Sequence, residues 1–351
     1  MILVRTDAST ALGTGHAMRC LALAQALRDR GSDVTLAAAA VPEAIADRYR
    51  AEGAHVARFD AETASQADVA ATLRLAERLR PDWLVVDGYT FDDGYVDAVA
   101  TRVPLLLIDD RPRDVATPAL LLNQNGYATR GDYPGLGPAQ LLLGPSHALL
   151  RREYATPPPA RRVPSRGDRI LVTLGGADPD NVTARVLAVL ADRATRHAAK
   201  GTGVTEAGEV RVVIGAAHPA ADAVEDAAAT AGFTALRDIR DMRAEADRAH
   251  LAIGAAGTTS LELASRGLPA IHAVLMDNQV RVAAEMERRG VSISAGAPDA
   301  GFEARLDHAI EALREPSRRA AMSAAGRALV DGHGARRVAA RLLGEARGTP
   351  R

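Results

Sequence analysis

Cysteine is almost missing: Cys20 stands alone in 351 residues, so the chain can close no disulfide on itself. That excludes a disulfide-stapled scaffold and makes a reduced, cytoplasmic setting the simplest expectation. A charge excess is missing too, since 43 Lys+Arg against 44 Asp+Glu leave a formal net charge of −1. No overall basic field exists to recruit nucleic acid or anionic lipid, and neither partner is expected. Lysine itself is nearly absent; Lys200 is the one example and arginine supplies the other cations. No run of about 18 apolar residues is free of charge, so no membrane insertion is expected. The opening residues are already strand-like and lack a charged segment followed by a long apolar one, so no signal peptide is expected either. The nine histidines are scattered without H-x-H or H-E-x-x-H spacing, which leaves no zinc signal. A G-x-S-x-G elbow for Ser-His-Asp catalysis is also lacking.

What remains is an ordinary globular composition, 47% hydrophobic and 25% charged, long enough for two α/β domains. Short apolar runs alternate with Ala/Leu/Arg stretches of helical period, the pattern of βαβ units and a mostly parallel sheet. Strands are expected near residues 2–4, 34–38, 55–57, 83–87, 105–108 and 119–122, with helices clearest at 18–30 and 67–79. Residues 156–167 hold four prolines and cannot form a regular helix or central strand. The rhythm restarts at residues 169–174 and continues through 211–214, 235–236, 251–254 and 270–274, while 194–208 reads as a surface excursion. The expected organisation is a first domain at 1–155, a connection at 156–168, a second domain at 169–332 and a last helix within 333–351. Two Rossmann-like halves in series, with ligand-facing loops at strand C-terminal ends, would create a cleft between them.

The densest chemistry follows the first strand. Gly13, Thr14 and Gly15 hand the chain to a helix that opens at His16. The glycines permit close backbone approach and unusual φ values, so a ligand can sit against the turn. The positive end of a helix disfavours a protonated imidazole, which biases His16 towards the neutral form a general base needs. The second cluster runs from Gly254 through Ala256, Gly257, Thr258 and Thr259 to Glu262, closing at Gly267 and Pro269. Small residues at a strand end, then amides and hydroxyls at a helix start, form an anion site for phosphate. Glu262, about one turn inside, is placed to accept hydrogen bonds from a ribose diol. Gly175 and Gly176, with Asp178, Asn181 and Thr183, form another strand-to-helix turn facing the same cleft. Asp87 and Tyr89 stand at a strand rim, Asp87 reading as a group that satisfies loop amides. Asp109 and Asp110 are adjacent carboxylates, but neighbouring side chains diverge at a strand end and no metal is expected there.

The run of Arg5, Asp7 and Ser9, then Gly13, Gly15, His16, Met18, Arg19, Cys20 and Leu21, resembles the signature of the bacterial UDP-sugar hydrolases of pseudaminic acid synthesis. Spore-coat polysaccharide proteins and, more distantly, the N-acetylglucosaminyl transferase that makes lipid II share that likeness. The second cluster is similar to the nucleotide-sugar motif G-x-x-[GT]-T-x-x-E-x(4)-G-x-P of the same fold. The resemblance implies a glycosyltransferase-B fold, with the last helix crossing back onto the first domain. It implies diphosphate at Gly257, Thr258 and Thr259, ribose at Glu262, and sugar or phosphate contacts at Asn278 and Gln279. Tyr89 falls at an Asp-x-Tyr position that would contact sugar or diphosphate. Segments 123–127 and 144–154 also match, though His147 stands where Tyr is usual and Asn123 where Asp is usual. Arg151, expected between the domains, suits either a phosphate or a structural ion pair.

Three functions stay open at this point. The first is hydrolysis of a UDP-linked diacetamido-trideoxy sugar, without metal or cofactor. Water would be activated by His16, and Asp7 would orient the imidazole or a substrate hydroxyl. Arg5, Gly13, Thr14 and Gly15 would line the sugar side. The second is an inverting glycosyltransferase with an acceptor hydroxyl in place of water, which the fold alone does not separate from the first. The third is a catalytically silent nucleotide-sugar-binding protein. A monomer is expected in each case.

Overall fold

The computed structural model describes residues 1–9, 12–158, 167–199, 209–237, 239 and 241–345. The chain divides into two compact units, Met1–Ala155 together with the segment from Gly332 onward, and Thr156–Asp331.

In the first unit, strands β1 (Ile2–Thr6), β2 (Val34–Ala38), β3 (His55–Arg58), β4 (Trp83–Asp87), β5 (Leu105–Ile108), β6 (Leu120–Asn123) and β7 (Leu141–Leu143) form one parallel sheet. Its order is β3-β2-β1-β4-β5-β6-β7. Helices α1 (Gly15–Arg28), α2 (Glu43–Ala51), α3 (Gln66–Leu79) and α4 (Asp93–Ala100) connect the earlier strands. All five residues of β1 are buried, as expected of a central strand covered on both faces. The order reverses between β1 and β4, so the loops after these two strands part there and leave room for a ligand. Helix α1 ends beside Gly31, whose φ of +75° lets the Ser32 amide turn back to the Leu27 carbonyl.

The second unit repeats the plan with β8 (Ile170–Thr173), β9 (Val210–Ile214), β10 (Thr234–Arg237), β11 (Leu251–Ala255), β12 (Ala270–Ala273) and β13 (Ser292–Gly296). The parallel order is β10-β9-β8-β11-β12-β13, with the reversal between β8 and β11. Its helices are α5 (Val182–Ala199), α6 (Ala221–Thr230), α7 (Met242–Arg248), α8 (Thr258–Ser265), α9 (Asn278–Arg288), α10 (Phe302–Ala312) and α11 (Pro316–Leu329). Helix α12 (Gly334–Leu342) then packs on α1 within the first unit, burying Ala335, Val338, Ala339 and Leu342 in that core. A Cβ on Gly334 would stand 2.3 Å from the Ala148 carbonyl oxygen, so the chain there passes backbone against backbone.

One expectation needs correction. Helix α5 continues through residues 194–199 instead of opening a surface excursion, and 200–208 lie outside the described residues. Strands β7 and β13 lie outside the strands expected from the sequence. Of the proline-rich connection, residues 159–166 lie outside the described set, while fully buried Arg266 donates to the Thr156 carbonyl at 2.5 Å and to Asp247 at 2.7 Å. Among the described residues no helix is long and apolar enough to cross a membrane.

Candidate functional site

His16 lies in the first turn of α1, directly after the Gly13-Thr14-Gly15 turn. Gly13 has φ +74°, and a Cβ on Gly13 or Gly15 would meet nothing within 4 Å, so the turn has an open side. Thr14 occupies the cap position without a side-chain cap bond, and no acidic residue stands in the first turn. The imidazole Nδ1 lies 2.7 Å from Asp87 Oδ1, contributed by the end of β4. Register explains the meeting: Thr6 at the end of β1 pairs with Asp87 across the reversal point.

A carboxylate against Nδ1 selects the tautomer that carries its proton there and leaves Nε2 as the acceptor. Asp87 also receives Arg19 Nε at 2.7 Å, Arg19 Nη2 at 2.6 Å and the Cys20 thiol at 3.3 Å. Burial raises its pKa, but Arg19 and His16 outweigh burial and hold the carboxyl well below the ordinary carboxylate range. Burial, and then the nearby Asp87 charge, pushes the Cys20 thiol well up, so Cys20 serves as a neutral donor. Asp87 therefore binds side chains, not the loop amides expected for it. Arg19 offsets its charge, and the contact acts on His16 mainly through orientation.

Asp7 does not do what was expected of it. Its Oδ1 accepts the Ala39 and Ala40 amides at 2.8 and 3.0 Å, and its Oδ2 accepts Arg5 and Thr63, each at 2.8 Å. No oxygen is left to orient the imidazole or a substrate hydroxyl. Arg5 is likewise withdrawn from any ligand: it is fully buried, bonded to Asp68 by Nε at 2.9 Å, and stacked between Phe59 and Phe91. Asp68 also takes the Tyr95 hydroxyl at 3.0 Å and the Ala64 amide at 2.8 Å. These residues tie the loops after β1, β2 and β3 to α3, a buried polar network in which every named member is bonded.

Tyr89 stands edge-on to His16, ring centroids 4.6 Å apart, and its hydroxyl donates to Asp110 Oδ2 at 2.7 Å. The adjacent carboxylates diverge as expected: Asp109 takes Arg111 at 3.0 Å and Arg113 at 2.7 Å, whereas Asp110 faces Tyr89. Among the described residues no three His, Cys, Asp or Glu side chains gather as metal ligands. Asn123 is a scaffold residue, donating to the Tyr133 hydroxyl and accepting the Asn125 amide. Arg151, almost buried, pairs with Glu153 at 3.1 Å and lies over the Tyr154 ring. The residues sequence reading missed are Asp87 as partner of His16, and with it Arg19 and Asp110. The only available signal was topological, that β1 and β4 must adjoin at the reversal point.

In the second unit, α8 begins after β11 with Gly257 at its cap, no side-chain cap bond and no acidic residue in its first turn. The hydroxyl of Ser260 turns back to the Gly257 carbonyl at 2.6 Å, while Gly257, Thr258 and Thr259 remain partly exposed. Ala256 is buried, its amide bonded to the Ala273 carbonyl. Glu262 is half-buried one turn further on. Gln279 braces the loop from the side: its Oε1 accepts the Leu275 amide at 2.9 Å, and Nε2 lies 3.9 Å from where a Cβ on Gly257 would stand. Asn278 is exposed at the start of α9. A helix start without a cap concentrates backbone N–H groups and partial positive charge, a ready anion site.

Helix α5 offers a contrast. Asp178 accepts the Val182 and Thr183 amides at 2.9 and 2.8 Å and the Thr183 hydroxyl at 2.6 Å. Asp178 and Thr183 are thus engaged in capping α5. Gly175 has φ +95° with open space beside it, and Gly176 packs by its carbonyl against Gly215.

No protein-family model matches the chain. It is 26% identical over 193 residues to the UDP-2,4-diacetamido-2,4,6-trideoxy-beta-L-altropyranose hydrolase of Campylobacter jejuni, covering 54% of this chain and 65% of that protein. It is 22% identical over 196 residues to an uncharacterized protein of Methanocaldococcus jannaschii, covering 53% of this chain and 39% of that one. The chain thus spans less than two thirds of either curated relative. Among solved structures, MurG of Acinetobacter baumannii superposes with a TM-score of 0.66 at 14% identity, covering 98% of this chain and 99% of that one. The S. aureus MnaA–UDP co-structure gives 0.68 at 12%, covering 99% and 98%. The UDP-GlcNAc 2-epimerase of Neisseria meningitidis bound to UDP-GlcNAc gives 0.63 at 11%, covering 99% and 100%. At such identities the likeness shows the fold alone, the two-domain α/β fold of glycosyltransferase-B type expected from the sequence.

Proposed function

We propose that the protein hydrolyses a UDP-linked diacetamido-trideoxy sugar to free sugar and UDP, with His16 as general base. The observation that carries this reading is the 2.7 Å contact between His16 Nδ1 and Asp87, which leaves Nε2 to act on a water. The water oxygen forms a bond to the anomeric carbon while its proton passes to Nε2. The bond from that carbon to the diphosphate oxygen breaks, and its electron pair leaves on UDP. Attack opposite the leaving group inverts the carbon. The uncapped start of α8, with Gly257, Thr258 and Thr259, suits the diphosphate, and Glu262 suits the ribose diol. Amides aimed at the departing oxygens stabilise the charge that develops there, so a separate general acid is not required. Gln279 positions the loop, Gly175 and Gly176 admit close backbone approach, and Asn278 offers an exposed amide. The hydrolase of Campylobacter jejuni, matched over 54% of this chain, supports this substrate class.

The test is time-resolved proton NMR of the purified protein with UDP-2,4-diacetamido-2,4,6-trideoxy-β-L-altrose, EDTA and no acceptor. The wild type is expected to release sugar and UDP, and His16→Ala to lose about 10²–10⁴ in rate while still binding UDP. Release only on addition of an acceptor hydroxyl would establish a transferase instead. Binding without release under either condition would leave a nucleotide-sugar-binding protein.

A further inference from the structure

We infer that Arg19 is a positioning residue for the reaction: its guanidinium cancels the Asp87 charge at the imidazole, so that Asp87 orients His16 without holding a proton on Nε2. This deepens the preceding proposal and rests on its assignment of His16 as the base.

His16 and Arg19 stand three residues apart on α1 and share one face of that helix. Arg19 grips both oxygens of Asp87, with Nε on Oδ2 at 2.7 Å and Nη2 on Oδ1 at 2.6 Å. Oδ1 is also the partner of His16 Nδ1, at 2.7 Å. Against its burial, Arg19 and His16 keep Asp87 ionised. An ionised carboxylate only accepts, so Nδ1 carries a proton and two N–H donors converge on one oxygen. The two nitrogens lie 3.1 Å apart, which sets a guanidinium directly against the imidazole. Burial opposes the charge of Arg19, but Asp87 and then Asp110 hold it fully protonated. The side chains are 13% exposed for His16, 6% for Arg19 and 0% for Asp87, so solvent screens these charges weakly.

A carboxylate alone at Nδ1 favours the imidazolium. That form has a proton on Nε2 and no acceptor left to take one from water. A guanidinium at a similar distance acts on the imidazolium with the opposite sign, so the Arg19–Asp87 pair orients the ring while adding no net charge. The other ionisable groups around the pair are Cys20, Tyr49, Tyr89, Asp110 and Arg111. Cys20 is a neutral donor to Asp87, and Tyr49 on α2, kept neutral by burial, donates to the Ala17 carbonyl. Tyr89 donates to Asp110, and Arg111 is paired with Asp109. Asp110 lies 4.0 Å from Arg19 Nη1, so Arg19 is the cation that Asp87 and Asp110 share.

The experiment is an NMR titration of the histidine-labelled full chain, with His16→Ala identifying the His16 signal, beside pH profiles of kcat/KM for sugar release. Arg19→Met leaves Asp87 unopposed. His16 is then expected to take its proton at a pH about 1–2 units higher than in the wild type, and the acid limb of kcat/KM to move the same way. Arg19→Lys keeps a cation and is expected to restore most of the wild-type midpoint, though not the two-oxygen grip. Asp87→Asn leaves Arg19 unopposed and is expected to lower the midpoint. Adding Arg19→Met to Asp87→Asn should return it to within about half a unit of the wild type. That comparison decides the matter should Arg19→Met alone not fold. A His16 midpoint unmoved by Arg19→Met, in either background, would overturn the inference and leave the hydrolase reading standing. A lower melting temperature with an unmoved midpoint would overturn it in favour of a structural tie between α1 and β4. A wild type that binds UDP but releases no sugar at any pH would remove the hydrolase reading, and with it the part of Arg19 in the reaction, even with midpoints that shift as expected.

Discussion

At the scale of residues, the first unit divides its buried carboxylates between support and chemistry. Asp7 and Asp68 are saturated by Arg5, amides and hydroxyls, and hold loops together. Asp87 serves His16 and Arg19 at once, so replacing it has two effects that must be separated. Asp87→Asn keeps the shape but no longer requires the proton on Nδ1, and a wrong tautomer removes the acceptor at Nε2. The rate of sugar release is expected to fall about 10²–10⁴-fold. It also leaves Arg19 with a weaker partner in a buried setting, which costs stability. Non-additivity separates the two: in a His16→Ala background Asp87→Asn should lower the residual rate little further, because residues that act as a unit are removed only once. Additive losses in the double variant would show that Asp87 acts on the reaction by another route. UDP binding, assigned to a loop of the second unit, is expected to be unchanged and can be read by calorimetry on the same proteins.

At the scale of elements, the strands that position the site were legible because they are buried parallel strands, read as short apolar runs between glycine-bearing turns. The α8 turn was legible for a similar reason: Gly257, Thr258, Thr259 and Glu262 are local in sequence, and a helix start needs only local residues to form an anion site. The His16–Asp87 pair was not, because 71 residues separate the partners and only the β1–β4 register joins them. Arg5 and Asp7 misled for the same reason, since their partners Asp68 and Thr63 come from the other side of β3. Strand β12 carries another feature with no sequence signal, the fully buried His272, whose two ring nitrogens lack hydrogen-bond partners among the described residues. Strand alternation puts it on the face of Ala270, beside Gly254 of β11 and Ser294 of β13. Burial pushes its pKa down from 6.5 to about 4. The unfolded chain therefore binds a proton between these values that the folded chain refuses. Stability from this residue is complete above about pH 6.5 and falls as pH drops towards 4, by roughly 3 kcal/mol in all. Denaturant unfolding at several pH values should show this slope for the wild type and a shallower one for His272→Leu. Parallel pH profiles for the two proteins would contradict the assignment.

At the scale of the whole molecule, the second unit is inserted into the first. The chain leaves the first unit after Ala155 and returns at Gly332, and α12 completes a core begun by β1 and α1. Leu342, on α12, and Trp83, at the start of β4, belong to the same apolar cluster although the whole second unit lies between them in the sequence. Closure of the first core therefore waits for the last helix, a long-range contact that must be made across the entire second unit. Trp83 is the only tryptophan, so its fluorescence reports the first unit without interference. Leu342→Ala removes a buried side chain from the α1–α12 packing and is expected to destabilise the first unit by about 2–5 kcal/mol. The loss should appear as a lower denaturant midpoint in Trp83 fluorescence, with a smaller change in the far-ultraviolet signal if the second unit keeps its own helices. Coincident shifts in both signals would instead mean that the two units unfold as one cooperative body. A Trp83 midpoint unmoved by the substitution would mean that the first core closes without α12.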